Sequence, residues 1–291
     1  MDKRIKPYIR RLIMIRIITD SLCDFTMDYA KENNFDIMPL TVRFGETDYK
    51  CGVDLTNEAF YDLLENSEDA PSTAAVNPYE FEETFQKYLD AGDEIVAIIF
   101  SKNMSATFQS AKIAADNIES PSLHLIDCEN GAMGQALLIH AAVTMRDQGA
   151  SASEIAEKIT ALLPRTATYF IVDNMDYLQR GGRISKSADP VGNQMKIHPV
   201  LRLLPDGVKP VDKVKGRKSC NAWLVNKLTD VKPDPAYTVV IGHSNAPERA
   251  EALKGQLQEA GVKNDILITC IGPVVGTHIG PNCLGIGYVE A

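Results

Sequence analysis

EIVAIIFSKNMSATFQSAKIAA, residues 94–115, decides the fold. Residues 95–100 form an apolar run of the kind that fits a strand buried on both faces. A short loop follows, carrying Ser101, Asn103, Ser105 and Thr107. Phe108, Ala111, Ala114 and Ala115 then recur at helical spacing, facing a core. The loop therefore stands where a parallel strand ends and a helix begins, the edge at which open α/β sheets bind ligands. A helix N-terminus offers unpaired N–H groups and a partial positive charge, which suits an anion. Ser105 or Thr107 as a plain helix cap explains the same residues. The stretch alone favours the cap, so the case for a site rests on the rest of the chain.

Outward from this unit the pattern repeats. Residues 14–19 read as a strand, and Ser21 with Asp24 reads as an S-x-x-D capping box that opens a helix to about residue 33. Residues 37–44 suggest a second strand, with Gly45 in a turn. Residues 56–65 are helical in spacing. The loop PSTAAVN, residues 71–77, holds Ser72 and Thr73, and Asn77, Pro78 and Glu80 open another helix. Residues 123–127 are a strand ending at Cys128 and Gly131, followed by a long apolar helix over about 132–146. Ser151 and Glu154 cap the next helix, which stops before Pro164. Strands alternating with helices imply a mostly parallel sheet covered on both faces. Its strand-end loops gather Ser21, Thr73, Ser105 and Cys128 at one edge.

Residues 164–166 mark the expected domain boundary. Beyond it come a strand at 168–172, the short helix DYLQRGGR (176–183) ended by two glycines, and a hairpin turning at Pro205-Asp206-Gly207. A helix at 217–228 holds the only tryptophan, Trp223. A strand at 237–241, a helix at 247–260 and a strand at 266–271 precede a glycine-rich run to the end. The expected fold is an N-terminal three-layer α/β/α domain with a mostly parallel sheet (14–165), plus a C-terminal two-layer α/β domain with a mixed sheet (166–291). Residues 1–13 read as a tail; their basic groups lack the apolar segment of a secretory signal.

Composition sets outer limits. A chain of 291 residues suggests about two domains. The net charge of −9 argues against nucleic acid as a partner. No apolar run is long enough to span a membrane. The six cysteines form no C-x-x-C pair, so neither a zinc site nor a disulfide framework is indicated, and reduced thiols in a cytosol are the expectation. Asp20, Asp24 and Asp28 are read as caps and solvated charge rather than metal ligands. No cofactor motif is present: there is no G-x-x-x-x-G-K-[ST], and no helix follows Gly285 and Gly287 to make a dinucleotide fingerprint.

Three motifs carry rival chemistry. VVIGHSNAPERA places Ser244 on a strand–turn–helix like the nucleophile elbow of an α/β-hydrolase, with Asp265 and His278 following in triad order. Ala246 stands where the elbow needs its second glycine, and only 47 residues follow Ser244, too few for the usual strands between triad members. A helix start is the preferred reading there. His278, between Gly276 and Gly280 in GTHIGPN, is placed in a loop and open to a ligand, whereas His140 lies within an apolar helix. Residues 180–218 carry ten Lys or Arg against three Asp, either a solvated hairpin face or a docking surface for an acidic partner. Aromatic residues are not interleaved as single-stranded nucleic acid binding would need.

Seven segments in order resemble the DegV family of bacterial fatty-acid-binding proteins: ITDS (18–21), PSTAAVNPYEF (71–81), SKNMSATFQSA (101–111), IDCENGAMG (126–134), DYLQRGGRIS (176–185), KIHPVLRLLPDGVKPVDKVKGRK (196–218) and GPVVGTHIGPNCLG (272–285). The resemblance implies two α/β domains holding a long-chain fatty acid between them. It implies that Thr73 and Ser105 hold the carboxylate, with His278 close by and Arg183 near the domain interface; Ser21, Thr107 and Cys128 are secondary candidates. It also implies a carrier with no catalytic residues of its own, which presents the carboxylate to a separate dihydroxyacetone-kinase-like fatty acid kinase. The chain departs from the family pattern at Ala74 and Cys128 (serines there), Ala106 and Asn282 (glycines) and His198 (a lysine). The alternatives are a serine hydrolase using Ser244 and an interaction module without a ligand.

Overall fold

The computed structural model describes residues 13–173, 175–184 and 196–291. Most of the expected N-terminal tail, Ser185, and the part of the basic run within 185–195 lie outside the described residues.

In chain order the elements are β1 (Ile15–Asp20), α1 (Met27–Glu32), β2 (Phe35–Met38), β3 (Thr41–Phe44), β4 (Thr47–Lys50), α2 (Asn57–Asn66), β5 (Ser72–Ala74), α3 (Pro78–Asp90) and β6 (Glu94–Ile99). There follow α4 (Thr107–Ile118), β7 (Leu123–Asp127), α5 (Met133–Asp147), α6 (Ala152–Leu162), β8 (Thr166–Ile171), α7 (Asp176–Arg180), β9 (Ile197–Leu204) and β10 (Gly207–Lys215). The chain ends with α8 (Arg217–Val231), β11 (Val239–His243), α9 (Pro247–Glu259), β12 (Ile266–Cys270), α10 (Pro273–Ile279) and β13 (Leu284–Val289).

The first sheet, ordered β2-β1-β6-β7, is parallel throughout, as the βα alternation requires. Period-two alternation splits its strands between two cores. Ile18, Ala97 and Ile99 pack on Phe81 and Phe85 of α3 and on Ala111 and Ala114 of α4. Ile17, Val96 and Ile98 face the other way, toward α5 and α6. The second sheet is mixed, ordered β10-β9-β8-β13-β11-β12, with only the β11–β12 pair parallel. Tyr169, Ile171, Ile241, Ile286 and Tyr288 of that sheet cover α8 and α9. Phe170, Leu201 and Val240 face α5. Helix α5 thus lies between the two sheets and is buried on nearly every side as far as Val143, which explains why its sequence is mostly apolar there rather than along a stripe.

Gly287 makes this stacking possible. A Cβ there would fall 2.8 Å from the carbonyl oxygen of Met133, so β13 meets the first turn of α5 backbone to backbone. The glycine-rich C-terminal run therefore contains the strand at the middle of the second sheet.

The caps at Asn77–Glu80 and Ser151–Glu154 form as full capping boxes. The one expected at Ser21–Asp24 does not. Residues Ser21–Cys23 are a 3-10 turn capped by Asp20, and α1 starts later, at Met27, under the cap of Thr26. Distant groups claim both side chains: Ser21 Oγ accepts from the Leu40 N–H, and Asp24 accepts from the Gly272 N–H. The expected strand over 37–44 breaks at Pro39, which has no N–H to offer a ladder, so β2 ends in the first sheet and β3 begins a separate one. That small antiparallel sheet, β4-β3-β5, takes up Ser72–Ala74, expected as loop.

Asp20 is fully buried, and its two oxygens accept from the N–H groups of Leu22 (3.0 Å) and Phe100 (2.8 Å). Burial raises its pKa to about 6, with those N–H bonds partly offsetting it. The folded carboxyl holds its proton more tightly than the unfolded one. Its contribution to stability is therefore full below about pH 4 and lost as pH rises through about 6. The shift from 3.8 corresponds to about 3 kcal/mol. Urea unfolding at a series of pH values should show this decline, and Asp20→Asn should flatten it while costing one N–H acceptor.

Candidate functional site

A cavity opens at the carboxyl edge of the first sheet and runs beneath the second. Leu22 after β1, Phe100 after β6 and Met133 at the head of α5 wall it on one side; Phe170 of β8 and Leu203 of β9 wall it on the other. The space open to the centres of water-sized groups is about 190 Å³.

Four polar side chains, Thr73, Ser105, Arg183 and His278, line a mostly apolar cavity; Thr168 lines it too, its hydroxyl donating to Asn130 Oδ1. The first four come from four separate elements. Thr73 stands on β5, and its Oγ1 lies 3.1 Å from Nε2 of His278 on α10. Ser105 precedes α4; its Oγ accepts from the Thr107 N–H at 3.2 Å and lies 2.9 Å from Thr107 Oγ1. The N-cap of α4 is Ala106, not the expected Ser105 or Thr107, and Ser105 instead accepts from the first helical N–H while lining the cavity. Thr107 is fully buried, does not line the cavity, and orients Ser105 from behind. Arg183 follows α7. Among the described residues its guanidinium donates to the carbonyls of Gly181 (2.5 Å) and Met104 (3.3 Å). Half burial lowers its pKa.

His278 was expected in a loop and instead sits on α10, which Gly280 ends with φ 71°. The helix fixes the ring against Thr73. Burial first, and then the nearby Arg183 charge, lower its pKa to about 4, so the imidazole is neutral near pH 7. Among the described residues, its Nδ1 is buried without a hydrogen-bond partner. A Cβ on Gly181 would fall 2.2 Å from that nitrogen, so only glycine lets the α7 end approach. An unpaired lone pair costs less there than an unpaired N–H. That places the proton on Nε2, donating to Thr73 Oγ1, and leaves the threonine hydroxyl proton to point away from the ring.

The other expected residues are not brought to this cavity. Ser21 lines a separate one of about 260 Å³, beside Asp24 and Asn57. Cys128 is buried; its thiol donates to the Asn130 carbonyl, and burial pushes its pKa up, so it is protonated and inert. Ser244 is fully buried: its Oγ donates to the Gly280 carbonyl and accepts from the Cys283 N–H, both at 2.8 Å. The adjacent His243 uses Nδ1 to accept from the Ala246 N–H. With its proton committed to a carbonyl, Ser244 pins the turn between α10 and β13. In the described part of the basic run, Lys209 pairs with Asp206, Arg217 with Asp173 and Arg202 with Glu290.

What the sequence did not reveal is the apolar wall. Met133, Phe170 and Leu203 carry the same signal as any core residue, and periodicity cannot tell a cavity face from a packed one. One backbone signature accompanies the wall: Ala132, which lines the cavity, holds φ 48° and ψ −122°, a conformation suited to glycine.

Fold and site together define an α/β protein with two large stacked sheets and an apolar cavity lined in part by hydroxyls, a neutral imidazole and a guanidinium. The DegV family model, described as "Uncharacterised protein, DegV family", matches residues 14–291, and the chain belongs to that family. A DegV domain-containing protein of Caldanaerobacter subterraneus is 32% identical over 277 residues, covering 95% of this chain and 99% of that one. Among solved structures, a Thermus thermophilus DegV family protein described by its fatty acid binding superposes with a TM-score of 0.87 at 20% identity, over 96% of this chain and 100% of that one. A stearic-acid-binding protein of Eubacterium ventriosum gives 0.85 at 24% identity, over 95% and 98%. Among the described residues, no helix is long and apolar enough to cross a membrane.

The neutral state of His278 is directly measurable. Nitrogen-detected NMR titration of the ligand-free protein should find this ring titrating near pH 4 rather than 6.5, with the proton on Nε2 at pH 7. A normal pKa would mean that the ring is hydrated and not held against Thr73.

Proposed function

We propose that this protein binds a long-chain fatty acid in the cavity, with the carboxylate held by Thr73 and Ser105 and with His278 and Arg183 close by, and presents that carboxylate to a separate fatty acid kinase. The observation that carries the reading is an apolar cavity whose wall gathers the hydroxyls of Thr73 and Ser105, a neutral imidazole and a half-buried guanidinium. A buried carboxylate is costly without donors. Charge-assisted hydrogen bonds offset that cost by about 1.5–3 kcal/mol each. At about 0.8 kcal/mol per buried CH₂, a long tail contributes on the order of 10 kcal/mol gross. The tail therefore governs affinity and the hydroxyls govern orientation. In this reading residues 14–165 carry the carboxylate loops and residues 166–291 close the acyl chamber.

Relatives that share the fold are described as fatty acid binding, which supports the ligand class. The kinase partner, of the dihydroxyacetone-kinase-like type, rests on the family resemblance. Residence in the cytoplasm is supported by six free cysteines, as a reducing compartment would keep them. The carrier role without chemistry of its own is supported by the buried, committed state of Ser244.

Thr73→Ala combined with Ser105→Ala should keep the fold and lower fatty-acid retention at least about a hundredfold, since two charge-assisted bonds are lost. Native mass spectrometry of protein purified from its host reads this out, and undiminished lipid in the double variant would refute the site.

The hydrolase alternative has its own test. A fluorophosphonate probe should leave Ser244 unlabelled; stoichiometric labelling would restore the enzyme reading.

A further inference from the structure

Met133 heads α5, is 1% exposed, and lines the cavity. Its side chain lies along the face of the second sheet at three positions that have no side chain of their own. A Cβ at Gly287 would fall 2.8 Å from Met133 Cβ, one at Gly242 would fall 2.3 Å from its Sδ, and one at Gly285 would fall 2.4 Å from its Cε. Gly242 of β11 and Gly285 of β13 are register partners, so these glycines form a continuous trough across two strands. The methionine fills that trough from end to end. Its thioether is unbranched and adaptable, the side chain best able to change rotamer inside a core.

We propose that Met133 sets the length of acyl chain the cavity accepts, and that the trough of Gly242, Gly285 and Gly287 is a latent extension of the acyl chamber. The proposal rests on the fatty-acid reading above. Removing the thioether empties the trough toward the cavity and admits longer chains. Adding a methyl at Gly242 does the reverse. A Cβ there would also fall 2.7 Å from Met133 Cγ, and its remaining neighbour is Ile271 Cγ1 at 3.5 Å, an ordinary contact, so the added methyl is accommodated by driving the methionine side chain from Cγ outward out of the trough and into the cavity. Gly285 is unsuitable for this test, because a Cβ there would also meet the Tyr169 carbonyl oxygen at 2.8 Å.

The experiment offers delipidated protein an equimolar ladder of straight-chain saturated fatty acids and reads the bound species by native mass spectrometry. Met133→Ala should shift the bound distribution to chains longer by about three carbons, the number of heavy atoms removed beyond Cβ. Met133→Val should shift it less in the same direction, and Gly242→Ala should shift it to shorter chains. Should Met133→Ala fail to fold, the other two variants carry the test. Opposite shifts from the methionine and glycine variants support the proposal, because general loosening of a core would move both the same way. An unchanged distribution in a methionine variant that still binds lipid overturns the role of Met133 and leaves the fatty-acid reading intact. Wild-type protein that takes up no fatty acid at all overturns that reading, and this proposal with it.

Discussion

The contact on which everything else depends is the approach of the first turn of α5 to β13, with Met133 against the bare backbone of Gly287. It seats one helix in two sheets at once. The strands on either side of it keep their alternation, and each sheet gains a second buried face. At about 25 cal/mol for each Å² of apolar surface buried, sharing α5 between two cores stabilises both without a longer chain. The cavity begins where this helix starts. Residues at the end of β1, the end of β6 and the head of α5 meet the face of the second sheet there.

The polar part of that cavity has a consistent electrostatic logic. A protonated histidine beside Arg183 would pay for burial and for like-charge repulsion together, and both lower the pKa of His278. The neutral ring instead steers the hydroxyl of Thr73. Thr107 does the equivalent for Ser105 from within the first turn of α4. The result is a set of donors with a guanidinium nearby and, among the described residues, no ion pair fixing it. Such a set orients an acidic group without sealing it in a salt bridge.

Much of the architecture was legible before any coordinates. The βα alternation, the Asn77–Glu80 and Ser151–Glu154 boxes and the hairpin at Asp206-Gly207 all rest on local rules of capping and period. The failures have a common cause. Ser21 and Asp24 have the spacing of a capping box, yet backbone groups 19 and 248 residues away take their oxygens. His278 sits between glycines that suggest a loop, yet Gly276 admits Phe60 and Gly181 admits the imidazole, so a short helix packs there. In each case a partner distant in sequence outweighed a neighbour.

The amino-acid order by itself determined most of the strands and helices, though not β5, α10 or the break at Pro39, and that a loop of hydroxyls opens α4, because caps and hydrophobic period act over a few residues. Only the tertiary structure decided that Thr73 meets a histidine 205 residues later. It alone decided that Met133 lies in a trough of glycines, and that some apolar residues line a space while identical ones fill it. Those outcomes depend on how whole sheets stack, and the free energy of stacking is summed over many side chains that no short stretch of sequence contains.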